Sequence, residues 1–148
     1  MIFLNTKKIQ QLLVRILIER TILSALVYNP DYLRKVIPFI EKDYFANKSG
    51  EQMVFALIQD HFRKYNTQPT KSIVGIELDK KKLPENFYVK AEEVINSLIN
   101  EPVDIKWLVD STEEWCKRRA FFNAIVTASD LISDDTKLFN GALDNCVS

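Results

Sequence analysis

The chain has 148 residues, 47% of them hydrophobic and 27% charged, and its twenty basic side chains balance twenty acidic ones. That length predicts a single domain, and that composition excludes a disordered or membrane-spanning class. A neutral total charge argues against strong autonomous duplex binding, which needs a basic excess to displace counterions from phosphates.

The apolar start, Met1 to Leu4, is interrupted by Lys7 and Lys8 and lacks a small-residue cleavage pattern, so it does not read as a signal peptide. No apolar run approaches the ~20 residues that cross a bilayer. Cys116 and Cys146 have neither metal-ligand spacing nor a disulfide framework, and are expected as core or interface thiols in a reducing cytoplasm.

Glycine occurs only at positions 50, 75 and 141, too sparsely for the tight turns of a β meander. Apolar residues recur at helical spacing instead, so an all-α fold is predicted. A first helix runs from Thr6, as N-cap, to Tyr28. Ile9, Leu12, Leu13, Ile16, Leu23 and Val27 line its core side, widened by Ile18, Ile22 and Leu26. Asn29-Pro30 caps a short second helix that buries Tyr32, Leu33, Val36 and Ile37 and ends at Pro38. Asp43–Phe45 reads as a packed turn.

Ser49 and Gln52 have the spacing of a capping box opening a third helix, with Val54, Leu57, Ile58, Phe62 and Tyr65 as its buried stripe. Thr70 caps a fourth carrying Ile73 and Leu78. The triplet Lys80-Lys81-Lys82 reads as a solvated connector. Pro84 starts a fifth helix with Phe87, Ala91, Val94, Ile95 and Leu98 at core spacing, expected to lie antiparallel to the sixth.

Asp104 then caps a helix to Ile132 that would be about 43 Å long. Ile105, Leu108, Thr112, Cys116, Val126 and the stem of Arg119 share one side; Trp115 and Phe122 lie at its margin. Phe121, Ile125, Ala128 and Ile132 fall nearly opposite. Ser133–Thr136 reads as a turn into a returning helix with Leu138, Phe139, Ala142, Leu143, Cys146 and Val147. One apolar face, around Phe121 and Ile125, is left without a partner unless the amino-terminal helix folds back over it. A symmetric contact between copies is the economical cover. The residues assigned to self-association are therefore Phe121, Phe122, Ile125, Ala128, Ile132, Leu138 and Phe139.

No catalytic, cofactor or metal site is read from the residues. No segment fits the G-x-x-x-x-G-K-[ST] loop that cradles nucleotide phosphates, so the chain as given lacks that ATPase motif. His61 stands without a nucleophile or orienting third group and reads as structural. Glu92-Glu93 and Glu113-Glu114 are adjacent in sequence and diverge around a helix. Lys117, Arg118 and Arg119, beside two phenylalanines, are the candidate nucleic-acid contact, with Arg15 and Arg20 as more distant basic groups. Glu113 and Glu114 lie one turn earlier and offer them intrachain partners instead.

The segments "ERTILSALVYNPDYLRKVIPFIEKDYF", "FALIQDHFRKYNTQPT" and "WLVDSTEEWCKRRAFFNAI", in that order, resemble the N-terminal domain of DnaB-type replicative helicases, and most closely the T4-type phage helicases. The resemblance covers roughly residues 19–148 and rests on spaced apolar positions. It implies a compact helical head over residues 1–103, with an N-terminal extension up to about residue 18, and a long antiparallel helical hairpin over 104–148 whose second arm is truncated. It further implies a collar: hairpins pair, the pairs build a trimer of dimers above a hexameric motor ring, and primase and a helicase loader act on the assembly. The ring would encircle single-stranded DNA in the cytoplasm of the infected bacterial host. ATP and magnesium would belong to a motor domain outside this chain, which would drive 5′-to-3′ unwinding. The absent phosphate loop leaves a piece of a longer helicase or a free-standing relative. Two other readings stay open: the helicase-binding domain of a primase, decided by the encoded neighbour, and a small helical single-stranded-DNA-binding protein.

Overall fold

The computed structural model describes the backbone of residues 2–147 and the side chains of residues 5–145. Six helices succeed one another: α1 Ile2–Tyr28, α2 Pro30–Val36, α3 Glu51–Tyr65, α4 Lys71–Lys80, α5 Glu85–Ser97 and α6 Ile105–Val147. Single 3-10 turns occupy Ile37–Phe39 and Lys42–Tyr44. No strand occurs among the described residues, so the fold is all-α as the periodicity predicts. None of these helices is long and apolar enough to cross a membrane.

Local chemistry sets most boundaries. The Asn29 side chain accepts the Tyr32 amide at 2.9 Å, and Pro30 supplies the first helical position of α2. Thr70 Oγ1 accepts the Ile73 amide at 3.2 Å, and Asp104 Oδ1 the Trp107 amide at 3.0 Å. Two predicted caps are not formed. Thr6 lies inside α1. Gly50, not Ser49, precedes α3, and the expected capping box is absent. Asn47 Oδ1 takes the Ser49 and Gly50 amides at 3.1 and 3.3 Å, while Gln52 Nε2 reaches back to donate to the Phe45 carbonyl at 2.8 Å. A Cβ at Gly50 would stand 3.3 Å from both Asn47 Nδ2 and Val94 Cγ2, so a larger residue at this entry would need those side chains to give by a few tenths of an ångström.

The core sits where the carboxyl half of α1 meets α2, α3 and α5. Ile22, Leu23 and Leu26 of α1 are fully enclosed with Tyr32, Leu33, Phe55, Ile58 and Leu98. Phe45 anchors the centre, its ring 5.2 Å from Phe55 and 4.9 Å from Trp115. Through Trp115, Leu108 and Thr112 the first third of α6 joins this core, and the Tyr32 hydroxyl meets Thr112 Oγ1 at 2.6 Å in a buried contact. That third of α6 packs chiefly on α2 and the Lys42–Tyr44 turn, while α5 packs on α3 and α4. The expected antiparallel pairing of the fifth helix with α6 therefore gives way to a different neighbour, because the extended Leu98–Asp104 connection carries the chain away from α5 before α6 begins.

The largest correction concerns the carboxyl end. Ser133–Thr136 is not a turn, and Leu138 and Phe139 are not on a returning arm: α6 continues unbroken to Val147, giving a rod of about 64 Å. Serine, aspartate and threonine favour caps without forbidding a helix, and no glycine or proline interrupts this stretch. Thr136 donates to the Ile132 carbonyl at 2.9 Å, one turn back, which satisfies its hydroxyl inside the helix. The side chain of Cys146 and that of Val147, also placed on the arm by the sequence, lie outside the described residues. Cys116 is buried as expected, and burial pushes its thiol up to about 11, far from the reactive range.

A ring of buried charge ties α1 to its neighbours. Glu19, 1% exposed, takes Arg15 Nε at 3.2 Å and the Ala46 amide at 3.1 Å on the same oxygen, while its other oxygen is enclosed without a partner. Glu51 pairs with Arg20 at 3.2 Å. Arg119 of α6 reaches the Tyr44 carbonyl at 2.8 Å. Burial holds the Glu19 carboxyl above the usual carboxylate range, opposed by Arg15 and raised further by Glu51.

Two measurements test these features. Spin labels at Ala124 and Asp144 should report a backbone separation near 30 Å for a continuous rod; about 10 Å, the spacing of packed antiparallel helices, would restore the hairpin. Because the folded pKa of Glu19 is raised, its proton stabilises the fold fully below the unfolded value, and this contribution is lost as pH rises from there through the folded value. Glu19→Gln keeps the acceptor for Ala46, so urea melts should show a variant whose stability falls less than that of the parent between pH 4 and pH 7. Equal slopes would remove Glu19 as the titrating group.

Candidate assembly surface

Beyond Ala120 every described side chain of α6 is exposed except the half-buried Asn123, so the outer half of the rod leaves the head with no covering element. Its apolar residues are ordered. Phe121, Ile125, Ala128 and Ile132 succeed one another at alternating spacings of four and three, and Phe139 stands one heptad beyond Ile132. At about 100° per residue these side chains form a single stripe along the rod, the pattern of a coiled-coil seam. Phe121 is 70% exposed, and Ile125, Ile132 and Phe139 are exposed as well. Asp135 occupies the one intervening seam position.

The structure thus brings Phe121, Ile125, Ala128, Ile132 and Phe139 onto one face. Phe122 stands apart: its ring lies against the Arg119 guanidinium, 4.7 Å from the ring centroid. Leu138 falls about a quarter turn away from the seam, in line with Leu131 and Ala124, each separated by seven residues. The amino-terminal helix does not fold back over Phe121 and Ile125.

The basic triplet does not converge. Lys117 pairs with Glu113 at 2.7 Å and Arg118 with Glu114 at 2.6 Å, one turn back along α6. Arg119 points into the head instead, toward the Tyr44 carbonyl. Arg15 and Arg20 are engaged with Glu19 and Glu51. The candidate nucleic-acid contact is therefore dispersed, and its charges are matched at home. His61 is half-buried with its ring 4.8 Å from that of Tyr65, a packing role. Among the described residues no three metal-ligating side chains gather.

The exposed start of α1 is a surface that periodicity alone misplaces. Ile9, Leu12, Leu13 and Ile16 keep the spacing of a core stripe, yet all four are exposed because α1 overshoots the head. Only Ile18 and the residues after it reach the core side. On another side of the same helix Val14, Leu17 and Ile18 line an open groove with Trp107, Trp115 and Arg118 of α6. The signal available in the sequence is the family resemblance, which begins near residue 19 and leaves these positions without a counterpart.

No family model matches the chain. Over 103 residues it is 32% identical to a DnaB-like replicative helicase of Enterobacteria phage T4, a match that takes in 70% of this chain and 22% of that protein. The chain thus spans about a fifth of the length of the curated relative it matches. Across the matched residues it is related to the DnaB-type replicative helicases, as counterpart to a part of one and not to the whole.

Proposed function

We propose that this chain is the collar domain of a phage replicative helicase, whose outer α6 joins copies into pairs and whose pairs build the ring. The observation that carries the proposal is the uncovered seam Phe121–Ile125–Ala128–Ile132–Phe139 on a rod that projects from the head. Exposed phenylalanine and isoleucine in a continuous stripe form a surface of the kind that marks an interface. Burying each such side chain contributes ~1.5–3 kcal/mol, and a twofold contact counts each residue twice. Asp135 within the seam disfavours a parallel in-register pair, which would set two carboxylates face to face, and favours an antiparallel one.

On this reading the domain carries no chemistry of its own. ATP and magnesium would bind a motor domain of the parent protein, which would unwind duplex DNA and pass a single strand through the ring. Primase and a loader protein are proposed partners on the strength of the relationship. The intrachain pairing of Lys117 and Arg118 supports a scaffold over a nucleic-acid-binding module.

Light scattering on the purified chain tests the contact. Phe121→Asp and Ile125→Asp should each weaken self-association at least about a hundredfold, with circular dichroism unchanged. A folded assembly that ignores both substitutions would overturn the assignment. The same protein should show no binding to a single-stranded oligonucleotide at low salt; binding that falls steeply with added salt would favour the nucleic-acid reading.

A further inference from the structure

The seam does not stop at Phe121. Counted back toward the head at the same alternating spacing of three and four, it passes through Arg118, Glu114, Ser111 and Trp107. Together with Trp115, these are the residues with which α6 lines an open groove of about 360 Å³ against Val14, Leu17, Ile18 and Thr21 of α1. Val14, Leu17 and Trp107 are each more than half exposed there. One line of side chains therefore runs from the groove in the head to Phe139 on the outer rod, about 48 Å in all. It drifts by about 20° per heptad around a straight helix, a shallow left-handed spiral that a supercoiled partner follows. A helix laid antiparallel on the outer seam is led into the groove.

Charge selects the register. The line holds Glu114 and Arg118 near its inner end and Asp135 near its outer end, and Arg118 is its only cation. One Arg118 nitrogen donates to Glu114 at 2.6 Å, and both side chains are largely exposed, so the guanidinium keeps donors for a second carboxylate. Asp135 makes no ion pair among the described residues. Within one chain Arg118 and Asp135 stand about 26 Å apart along the rod and cannot meet. Between antiparallel copies they can. The register that sets Asp135 on Arg118 also sets Ile132 on Phe121 and Ala128 on Ile125. Phe139 then arrives beside Glu114, at the groove, with Leu143 one turn farther in. A slip of one heptad outward would set Asp135 against Ile125, a carboxylate on an apolar side chain; a slip inward would set Glu114 against Ile132.

We propose that the groove between α1 and α6 receives the outer rod of a second copy, whose Asp135 meets Arg118 and whose Phe139 seats against Val14, Leu17 and Trp107. Twofold symmetry makes the contact twice, once in each head. The docking rests on the self-association proposed above and adds to it a register and a receptor: the seam holds α6 to α6, and the groove fixes how far each rod travels along the other. Paired length becomes about 37 Å on each copy, from Glu114 to Phe139. Phe139 and Leu143, 64% and 47% exposed on a lone chain, gain cover from the head of the other copy. Asp135, the one polar break in the outer seam, becomes the residue that sets the alignment.

A charge swap on the full chain tests this. Asp135→Arg brings two cations together, and Arg118→Asp two carboxylates. Each variant alone should self-associate at least about tenfold more weakly by light scattering. An equimolar mixture of the two should recover assembly, because position 118 of either copy then meets the opposite charge at position 135 of the other. The double variant should recover it for the same reason. Unaltered association of both single variants would overturn the proposal, and so would weakening without recovery in the mixture and the double variant. A photoreactive benzophenone side chain at position 139 supplies a second measurement. It should crosslink to the α1 segment that carries Val14 and Leu17 in another copy; crosslinks to the stretch around Phe121 would mean the slipped register and overturn this one. Dissociation by Ile125→Asp while the charge variants stay assembled would remove the docking and leave the seam intact. A parent chain that is monomeric throughout would overturn both.

Discussion

Unbroken backbone hydrogen bonding through Ser133–Thr136 is the constraint on which the rest of this molecule depends. A turn there would have returned the chain along α6, and Leu138, Phe139 and Leu143 would have covered one face of its outer half while leaving the Phe121 and Ile125 face open. With the helix continuous, those residues cannot fold back, and their side chains line up with the earlier ones along one rod. The length of the exposed apolar surface, out to Phe139 and Leu143, is then a geometric consequence of helix continuity. An element of about 64 Å cannot be enclosed by a head of this size. Helical order over such a length in an isolated chain draws little help from propensity alone, which makes tertiary or intersubunit packing the natural source of its stability.

The head supplies what the rod needs, a fixed direction of departure. Trp115 wedges between Tyr44 and Phe45, Tyr32 bonds Thr112, and Arg119 holds the Tyr44 carbonyl. These contacts come from three successive turns of α6, so they set both its tilt and its rotation about its own axis. Rotation matters more. A coiled-coil seam is useful only if it faces a partner, and a change of one residue in phase would swing Phe121 by about 100°. The charged ring of Arg15, Glu19, Arg20 and Glu51 does the same for α1 at the cost of burying carboxylates whose second oxygens have no partner. Removing one partner of such a pair would leave an uncompensated buried charge.

Electrostatics divides the surface into two kinds. On the exposed side of the first third of α6 charge is cancelled locally by pairs one turn apart. Lys7 and Lys8 near the start of α1, and Asp130, Asp134 and Asp135 on the outer rod, make no ion pair among the described residues. Nucleic-acid binding asks for the reverse distribution, an unmatched basic face near exposed aromatic rings. The zero net charge is therefore informative only when it is resolved along the rods.

Read as a linear pattern, the residues already specify the all-α class, the order of the elements, the Asn29, Thr70 and Asp104 caps, the buried cluster of α2, and a surplus apolar face centred on Phe121 and Ile125. All of these depend on local periodicity and on side-chain groups that act within a few residues. The relationship to replicative helicases is legible at the same level, in the spacing of three segments. Whether a stripe is core, by contrast, is settled in three dimensions. Ile9, Leu12 and Ile16 repeat as faithfully as Leu23 and Val27, yet the first three stand in solvent, because periodicity records which side of a helix is apolar and carries no record of where the head ends. Ser133–Thr136 is a second case, since a cap-forming residue states a preference worth about 1 kcal/mol, and a helix that keeps its hydrogen bonds outweighs it. The loop before α6 sends that helix to α2 in place of α5 for a similar reason: the direction of a connection is set by packing at both ends, which no local pattern encodes.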